Sequence, residues 1–508
     1  MRPHGLLVSP AALLIFVSLW PCAALAQANY HFTPLGGRSA LLGGTGVALG
    51  ADGAAPFLNP ASIVRIGDRR IAFSARFFRL AHRTLDDFHQ PGPVNPAFGP
   101  LSLPDTTRTS LKLASVPDTT CYFFSRSRGE GAELRGRSKL ALCLAKTAEQ
   151  EFELTAISYR GESAGRQVDQ THSFREVWSS WSLGPTFALH VTETLTLGAS
   201  LHLTRTRHET TTSVATVVEE LATSAGVASA YQSADSGSSW DALAQIGMTY
   251  RASKTLTLAA SLQAPSLHFT GSYSANEDAR FSSDTSSLSH WSGEGDFVAR
   301  RPLRLNLGIG AEYERVRLEA NVFLHAPVEE FAHAELDRHT MTGVDGTITG
   351  RTQGRLTRNE SVRGVANAGF GAEYFLSKDL SLLMGVASDV SALRVPAGGL
   401  NEQRLFHSRF DAWHAGVGLS TYTDYGDLVV GLRGDYLTGE VASVNAFSQP
   451  IERERIPARE WAAMLVIAGR VSLSTVAEAA EAVGEAVRGG ANKPTPTLQK
   501  PLQAPKID

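Results

Sequence analysis

Leu195-Thr196-Leu197-Gly198-Ala199-Ser200-Leu201-His202-Leu203 sets apolar side chains at every odd position against Thr196, Gly198, Ser200 and His202 at the even ones. Successive side chains of an extended strand point to opposite faces, so a period of two reads as a β-strand with one apolar and one polar face. The pattern returns in Leu303, Leu305, Leu307 and Ile309 against Arg304, Asn306 and Gly308. It returns again in Val316, Leu318, Ala320 and Val322 against Arg317, Glu319 and Asn321.

A soluble β-sandwich also alternates, with its apolar face in a core. Here, however, one hairpin type repeats over most of the chain. Tight polar turns fall at 192–193, 252–254, 314–315, 377–379 and 424–426, and long polar connections at 207–240, 271–300, 327–361 and 439–459. Short turns at one rim, long loops at the other, and strands that are apolar outside and polar inside describe an outer-membrane β-barrel. Treating Pro117-Asp118 and 147–150 as turns gives about sixteen strands, and treating them as irregularities inside longer strands gives about fourteen; both are even, as closure requires.

The 508-residue chain is 43% hydrophobic and 19% charged, with 46 glycines, so it is neither disordered nor dominated by apolar runs. Its net charge of −3 gives no electrostatic case for nucleic acid. Residues 1–26 read as a secretory signal: Arg2 and His4, an apolar run from Leu6 to Trp20, and the small-residue site Ala24-Leu25-Ala26. No later run of eighteen apolar residues exists, which excludes a helical membrane protein. Beyond the signal remain Cys121 and Cys143, placed symmetrically about a Gly-rich turn. They either oppose one another on paired strands as a disulfide or stand as two small apolar residues.

Between signal and barrel lies Gly36 to Ile66, dense in glycine and without strand or helix period, closing on Asn59-Pro60-Ala61. Composition alone fits a linker as well as a compact plug. Its position, after a signal and before an alternating barrel, resembles the FadL family of outer-membrane transporters for hydrophobic compounds. The resemblance is carried by Gly36-Gly37-Arg38-Ser39-Ala40, Gly43-Gly44-Thr45-Gly46-Val47-Ala48, Asp52 and Asn59-Pro60-Ala61, with weaker agreement at Val116-Pro117 and Arg301-Pro302. It covers roughly residues 30 to 473.

The resemblance implies an all-β, fourteen-stranded transmembrane barrel (69–473) with an N-terminal hatch (27–68) inside it, in the outer membrane of a Gram-negative bacterium, surrounded by lipid and lipopolysaccharide. It implies passive uptake of long-chain fatty acids or aromatic hydrocarbons, with no enzymatic activity, cofactor or metal. Ligand is captured between the third and fourth outer loops, here 208–239 and 271–299, passes a pocket near the hatch N-terminus, and leaves sideways at a kink in the third strand.

The matching residues follow. Val214, Val217, Val218 and Leu221 at i, i+3, i+4 and i+7 predict a short amphipathic helix in one loop, and Phe281, Trp291 and Phe297 supply apolar surface in the other. Mutual packing explains all seven equally well. Tyr30 and Phe32 are placed at the inner pocket, and Thr147, Ala148, Glu149 and Gln150 at the lateral gate. Arg304, Arg317, Arg433 and Arg470 face the lumen, where pairing with Glu319 or Asp435 competes with binding a carboxylate. Ser200 and His202 share that face, but the chain has no Gly-x-Ser-x-Gly, His-Glu-x-x-His or P-loop pattern, which disfavours an enzyme.

After Leu473 a capping box at Thr475 and Glu478 and an apolar face of Val476, Ala480, Val483 and Val487 predict a helix over 474–490; a Pro-rich tail (491–508) follows. This appendage suits a periplasmic protein partner. It also keeps open a second reading, a FadL-like barrel that anchors a secretion or envelope complex.

Overall fold

The computed structural model describes residues 29, 33–67, 70–86, 106–113, 117–126, 138–163, 165–222, 226–394, 408–423, 426–445 and 452–472. The signal peptide, Tyr30, Phe32, the 474–490 helix and the 491–508 tail lie outside these residues.

Nineteen strand segments are described: β1 (Arg70–Leu85), β2 (Thr106–Leu113), β3 (Thr119–Arg126), β4 (Ser138–Ser163), β5 (Arg166–His190), β6 (Leu195–Glu220), β7 (Gly226–Arg251), β8 (Leu256–Gln263), β9 (Leu267–Ser282) and β10 (Ser286–Phe297). The series continues with β11 (Arg304–Glu312), β12 (Val316–His325), β13 (Val328–Val344), β14 (Thr347–Val362), β15 (Val365–Phe375), β16 (Leu380–Asp389), β17 (Arg409–Thr423), β18 (Gly426–Asn445) and β19 (Glu452–Ser472). Five pairs of segments are collinear halves of one strand. β2 and β3 lie one above the other along β1, and β8 and β9 along β7. The pairs β10 and β11, β12 and β13, and β14 and β15 continue the same way. The sheet therefore has fourteen staves. It closes where β1 pairs antiparallel with β19, Arg70 opposite Ser472 and Leu85 opposite Ala458.

The alternation of Leu195 to Leu203 is inverted relative to a soluble protein. Leu197, Leu201 and Leu203 are exposed, whereas Thr196, Ser200, His202, Thr204 and Thr206 are buried. A sandwich core would bury the leucines, so the apolar outer face is the lipid face of a membrane-spanning barrel. Its height is marked on β7. Trp240 and Tyr250 both point outward, ten residues apart; at about 3.4 Å per residue and a tilt of about 40° that spans roughly 26 Å, the apolar band of such barrels. Trp413 and Trp461 mark the upper girdle, and Tyr313 and Tyr374 the rim of short turns.

Above Trp240 the structure differs from the sequence reading. The expected long loops at 208–239, 271–299 and 327–361 are tall hairpins, with β6 running to Glu220, β9 to Ser282 and β13 to Val344. The helix expected over 214–221 is strand. Val214 and Val218 point inward and are buried, while Val217 and Leu221 are exposed. Above the membrane both strand faces meet polar surroundings, so the apolar contrast that marks period two fades, and valines on opposite faces mimic helical spacing.

Residues 33–67 fill the lumen. Two four-residue helices, α1 (Arg38–Leu41) and α2 (Ala55–Leu58), and a 3-10 turn (Pro60–Arg65) are tied to walls all round the barrel.

Candidate functional site: the lumen chamber and the wall slot

The N-terminal segment is held by polar side chains that strand alternation turns inward. Asn59, fully buried, donates through Nδ2 to Val47 O (2.7 Å) and to Met248 O of β7 (3.1 Å), and its Oδ1 accepts from Ala61 N (3.1 Å). That last bond caps the 3-10 turn, with Pro60 at its first position. The wall makes room: a Cβ at Gly247 would collide with the Asn59 amide, and one at Gly198 with the Pro60–Ala61 backbone. Asp52 accepts from Ser39 N (2.9 Å), Ser39 Oγ (3.0 Å) and Ala54 N (3.0 Å), folding the segment on itself.

The C-terminal carbonyls of α2 are satisfied from the wall, as helix termini require. The Leu58 carbonyl accepts from Ser261 Oγ (2.6 Å), Asn306 Nδ2 (2.8 Å) and Gln245 Nε2 (3.1 Å), and the Phe57 carbonyl from Arg304 Nη2 (2.7 Å). Arg38 meets Glu373 and Tyr422, while Tyr422 and Ser381 both donate to Glu373 (2.6 Å each). Glu319 pairs with no arginine among the described residues, contrary to expectation; it accepts the amides of Gly46 (3.0 Å), Ala48 (2.8 Å) and Leu49 (3.2 Å). The other lumen arginines are partnered: Arg433 with Asp435, Arg470 with Asp427, and Arg317 with Glu312 and Glu373. Ser200 and His202 make no catalytic pair. Ser200 reaches the Pro56 carbonyl (3.4 Å), and the His202 ring stacks on Phe57 with centroids 4.6 Å apart.

Above α2 lies an enclosed chamber. The N-terminal segment contributes Leu35, Ala40, Phe57 and Leu58; the wall contributes Leu243, Phe323, Ala368 and Ala387, together with His202, Arg301, Arg304, His325, His414 and Arg433. Three guanidiniums and three imidazoles line it, with no carboxylate. Its free volume is about 60 Å³. At roughly 10–15 Å³ per water that holds about four to six waters, so a larger molecule passes only if the N-terminal segment shifts.

Thr147 lines the chamber, and Arg301 Nη2 donates to its Oγ1 (3.0 Å). It is also the bulged residue of β4, where the register with β5 shifts between Lys146 and Ala148. Here the backbone pairing on one side of β4 is interrupted among the described residues. β3 pairs with β4 from Thr119–Ala145 down to Arg126–Ser138, but β2 pairs with β1, and β4 above Lys146 pairs with β5. No backbone ladder joins β2 to β4 among the described residues. The floor of this slot is an ion cluster: Arg76 Nε and Nη2 donate to Asp118 (2.8 and 2.7 Å), Arg76 also meets Glu149, and Lys146 Nζ reaches Glu149 (2.8 Å). Thr33 bonds the backbone of Glu149, so the N-terminal segment touches the slot directly. Ala148 is buried, and Gln150 donates to Ser408 O (3.3 Å). Higher up, Lys112 of β2 bridges to Glu151 and Glu153 of β4 by side chains only.

The apolar residues expected to form one outer groove are dispersed. Trp291 and Phe297 belong to a buried core with Trp178, Tyr273 and Leu336. Burial pushes the Tyr273 phenol up, and its hydroxyl accepts from Arg358 (2.7 Å). Phe281 packs with Val168 and Val218, and Val214 with Tyr231. A second core joins Phe152, Phe174, Phe410, Leu437 and Ile456. His325 and His414 went unassigned in the sequence, and His202 and Arg301 were not grouped with them, because the residues of the chamber come from separate stretches of the chain. Cys121 and Cys143 are disulfide-bonded across β3 and β4.

No family model matches the chain, and no curated protein matches it in sequence. Solved structures do. A FadL homologue of Pseudomonas aeruginosa aligns over 88% of this chain and 100% of its own, at 11% identity and a TM-score of 0.51. The fold is that of the FadL and TodX channels. The Pseudomonas putida toluene transporter TodX matches over 88% of this chain and 100% of its own, with 13% identity and a TM-score of 0.52. A TodX mutant described as a monoaromatic hydrocarbon channel matches over 87% and 100%, with 14% identity and a TM-score of 0.54. The FadL-like fold of this chain thus rests on shape with little sequence in common.

Proposed function

We propose that the chain is an outer-membrane channel of a Gram-negative bacterium for passive uptake of hydrophobic molecules, with residues 33–67 as its plug. The observation that supports this reading is the chamber, lined by residues 33–58 and by apolar and polar wall groups, which reaches Thr147, where the register of β4 shifts. A water-filled pore would oppose an apolar solute, whereas an exit in the wall delivers it to lipid, where its apolar surface stays out of water. The outward face meets lipid and, near the outer rim, lipopolysaccharide. The neighbours described as toluene and hydrocarbon channels support the general class.

The lining combines apolar groups with arginines that already have partners, Arg433 with Asp435 and Arg304 with the Phe57 carbonyl, and suits long-chain fatty acids or aromatic hydrocarbons as a class. Binding draws on apolar area removed from water, about 25 cal/mol per Å² before association costs. The test is uptake of labelled oleate and labelled toluene by cells with and without the gene, with mass spectrometry of lipid extracted from the purified barrel. Oleate uptake that depends on the gene supports this reading. Equal uptake of both compounds in the two strains refutes it and favours the anchoring role.

A further inference from the structure

Of the fourteen seams between staves, one carries a covalent tie, and it is the seam that opens. β3 and β4 are paired from Thr119–Ala145 to Arg126–Ser138, with Cys121 directly opposite Cys143. The next position up is Asp118, whose carbonyl accepts from Lys146 N (2.7 Å); beyond it no backbone pairing joins these staves among the described residues. The cystine therefore sits three residues below the slot floor, roughly 10 Å at about 3.4 Å per residue. An antiparallel ladder that ends at an opening frays from that end, because its last rungs have neighbours on one side only.

What lies behind these rungs matters. Cys121 and Cys143 are fully buried and face the lumen, packed with Ala55, Phe57, Ile63 and Ile66 of the plug and with Phe123 and Ala141 of the wall. The Cys121 Sγ lies 3.5 Å from the Gly53 carbonyl. Fraying past this level would open the seat of α2 and the 3-10 turn to lipid.

We propose that the Cys121–Cys143 cystine is a stop for the lateral slot. It fixes the slot's lower end at the Arg76–Asp118–Glu149 cluster, so that the wall can part above the plug but not beside it. The proposal rests on the slot as the exit route, but it concerns the seam and can be tested without a cargo.

The experiment is hydrogen exchange on the full-length barrel in detergent, comparing wild type with C121A/C143A and with the bulkier C121V/C143V. Amides of 119–126 and 138–145 are expected to exchange at least tenfold faster in both variants, while those of β17 and β18 stay within twofold of wild type. Unchanged exchange at the seam overturns the proposal. So does an equal rise in β17 and β18, which makes the cystine a general brace, and so does failure of both variants to form a heat-modifiable barrel, which makes it a folding determinant. Because exchange reports the seam alone, a negative result here leaves the uptake reading standing, and failed uptake leaves this proposal standing.

Discussion

Replacing Asn59 with alanine removes the bonds to Val47 O, Met248 O and Ala61 N from a fully buried position. At about 0.5–1.5 kcal/mol net for each hydrogen bond, the seated plug should lose roughly 1.5–4.5 kcal/mol. With about 1.4 kcal/mol per factor of ten, the middle of that range raises the unseated fraction roughly a hundredfold. The barrel ladders do not depend on Asn59, so the effect should be local. Exchange of the amides of 36–66 should rise by that factor while β17 and β18 hold, and small-solute leakage through reconstituted liposomes should increase. Asn59→Asp sharpens the test. Aspartate can still accept from Ala61 N, but it sets a carboxylate against two carbonyl oxygens, so it should unseat the plug at least as much as alanine does. Exchange and leakage unchanged in both variants would refute the claim that Asn59 is the joint between plug and wall.

Two further outcomes follow from strand parity. Val214→Asp should loosen the hairpin of β6 and β7 by about 1–3 kcal/mol or more, because it buries a carboxylate beside Tyr231, whereas Val217→Asp on the outer face should stay within about 0.5 kcal/mol; protease protection of that hairpin distinguishes the two, and equal effects would restore a helix there. Leu201→Arg, on the lipid face opposite Ala244, should cost about 2–4 kcal/mol in folding into bilayers, and no measurable cost would argue against a lipid face at that height.

The barrel was legible wherever a strand crosses the membrane, because lipid on one side and a polar lumen on the other impose opposite chemistry on alternate residues; Leu195 to Leu203 is such a stretch. Leu303 to Ile309 reads the same way, with Leu307 and Ile309 exposed and Asn306 fully buried. Legibility failed above the membrane. In Thr206 to Glu220 threonine and valine occupy both faces, and Val214, Val217, Val218 and Leu221 matched a helix by spacing alone. The glycines and Asn59-Pro60-Ala61 of residues 36–66 fitted a linker as well as a compact segment, and the wall positions that bond to these residues left no signal in the sequence. Glu319 looked like a partner for arginine and is instead an acceptor for three plug amides, a role set by the fold of residues 46–49. Residues 147–150 were placed at a lateral gate by the resemblance, but a pairing that β2 and β4 do not make is written in neither strand alone. Pro117 and the stretch 147–150 marked irregularity without saying that two irregularities face each other.

The central claim is that cargo leaves through the wall between β2 and β4. Lys112 and Glu151 face each other across that slot, and the two cysteines of the barrel are already joined. The K112C/E151C variant, bridged with a short bifunctional maleimide, should therefore lose most uptake of labelled oleate, while the same variant capped with a monofunctional maleimide retains it. Undiminished uptake in the bridged barrel would contradict lateral exit and direct the cargo past the plug instead.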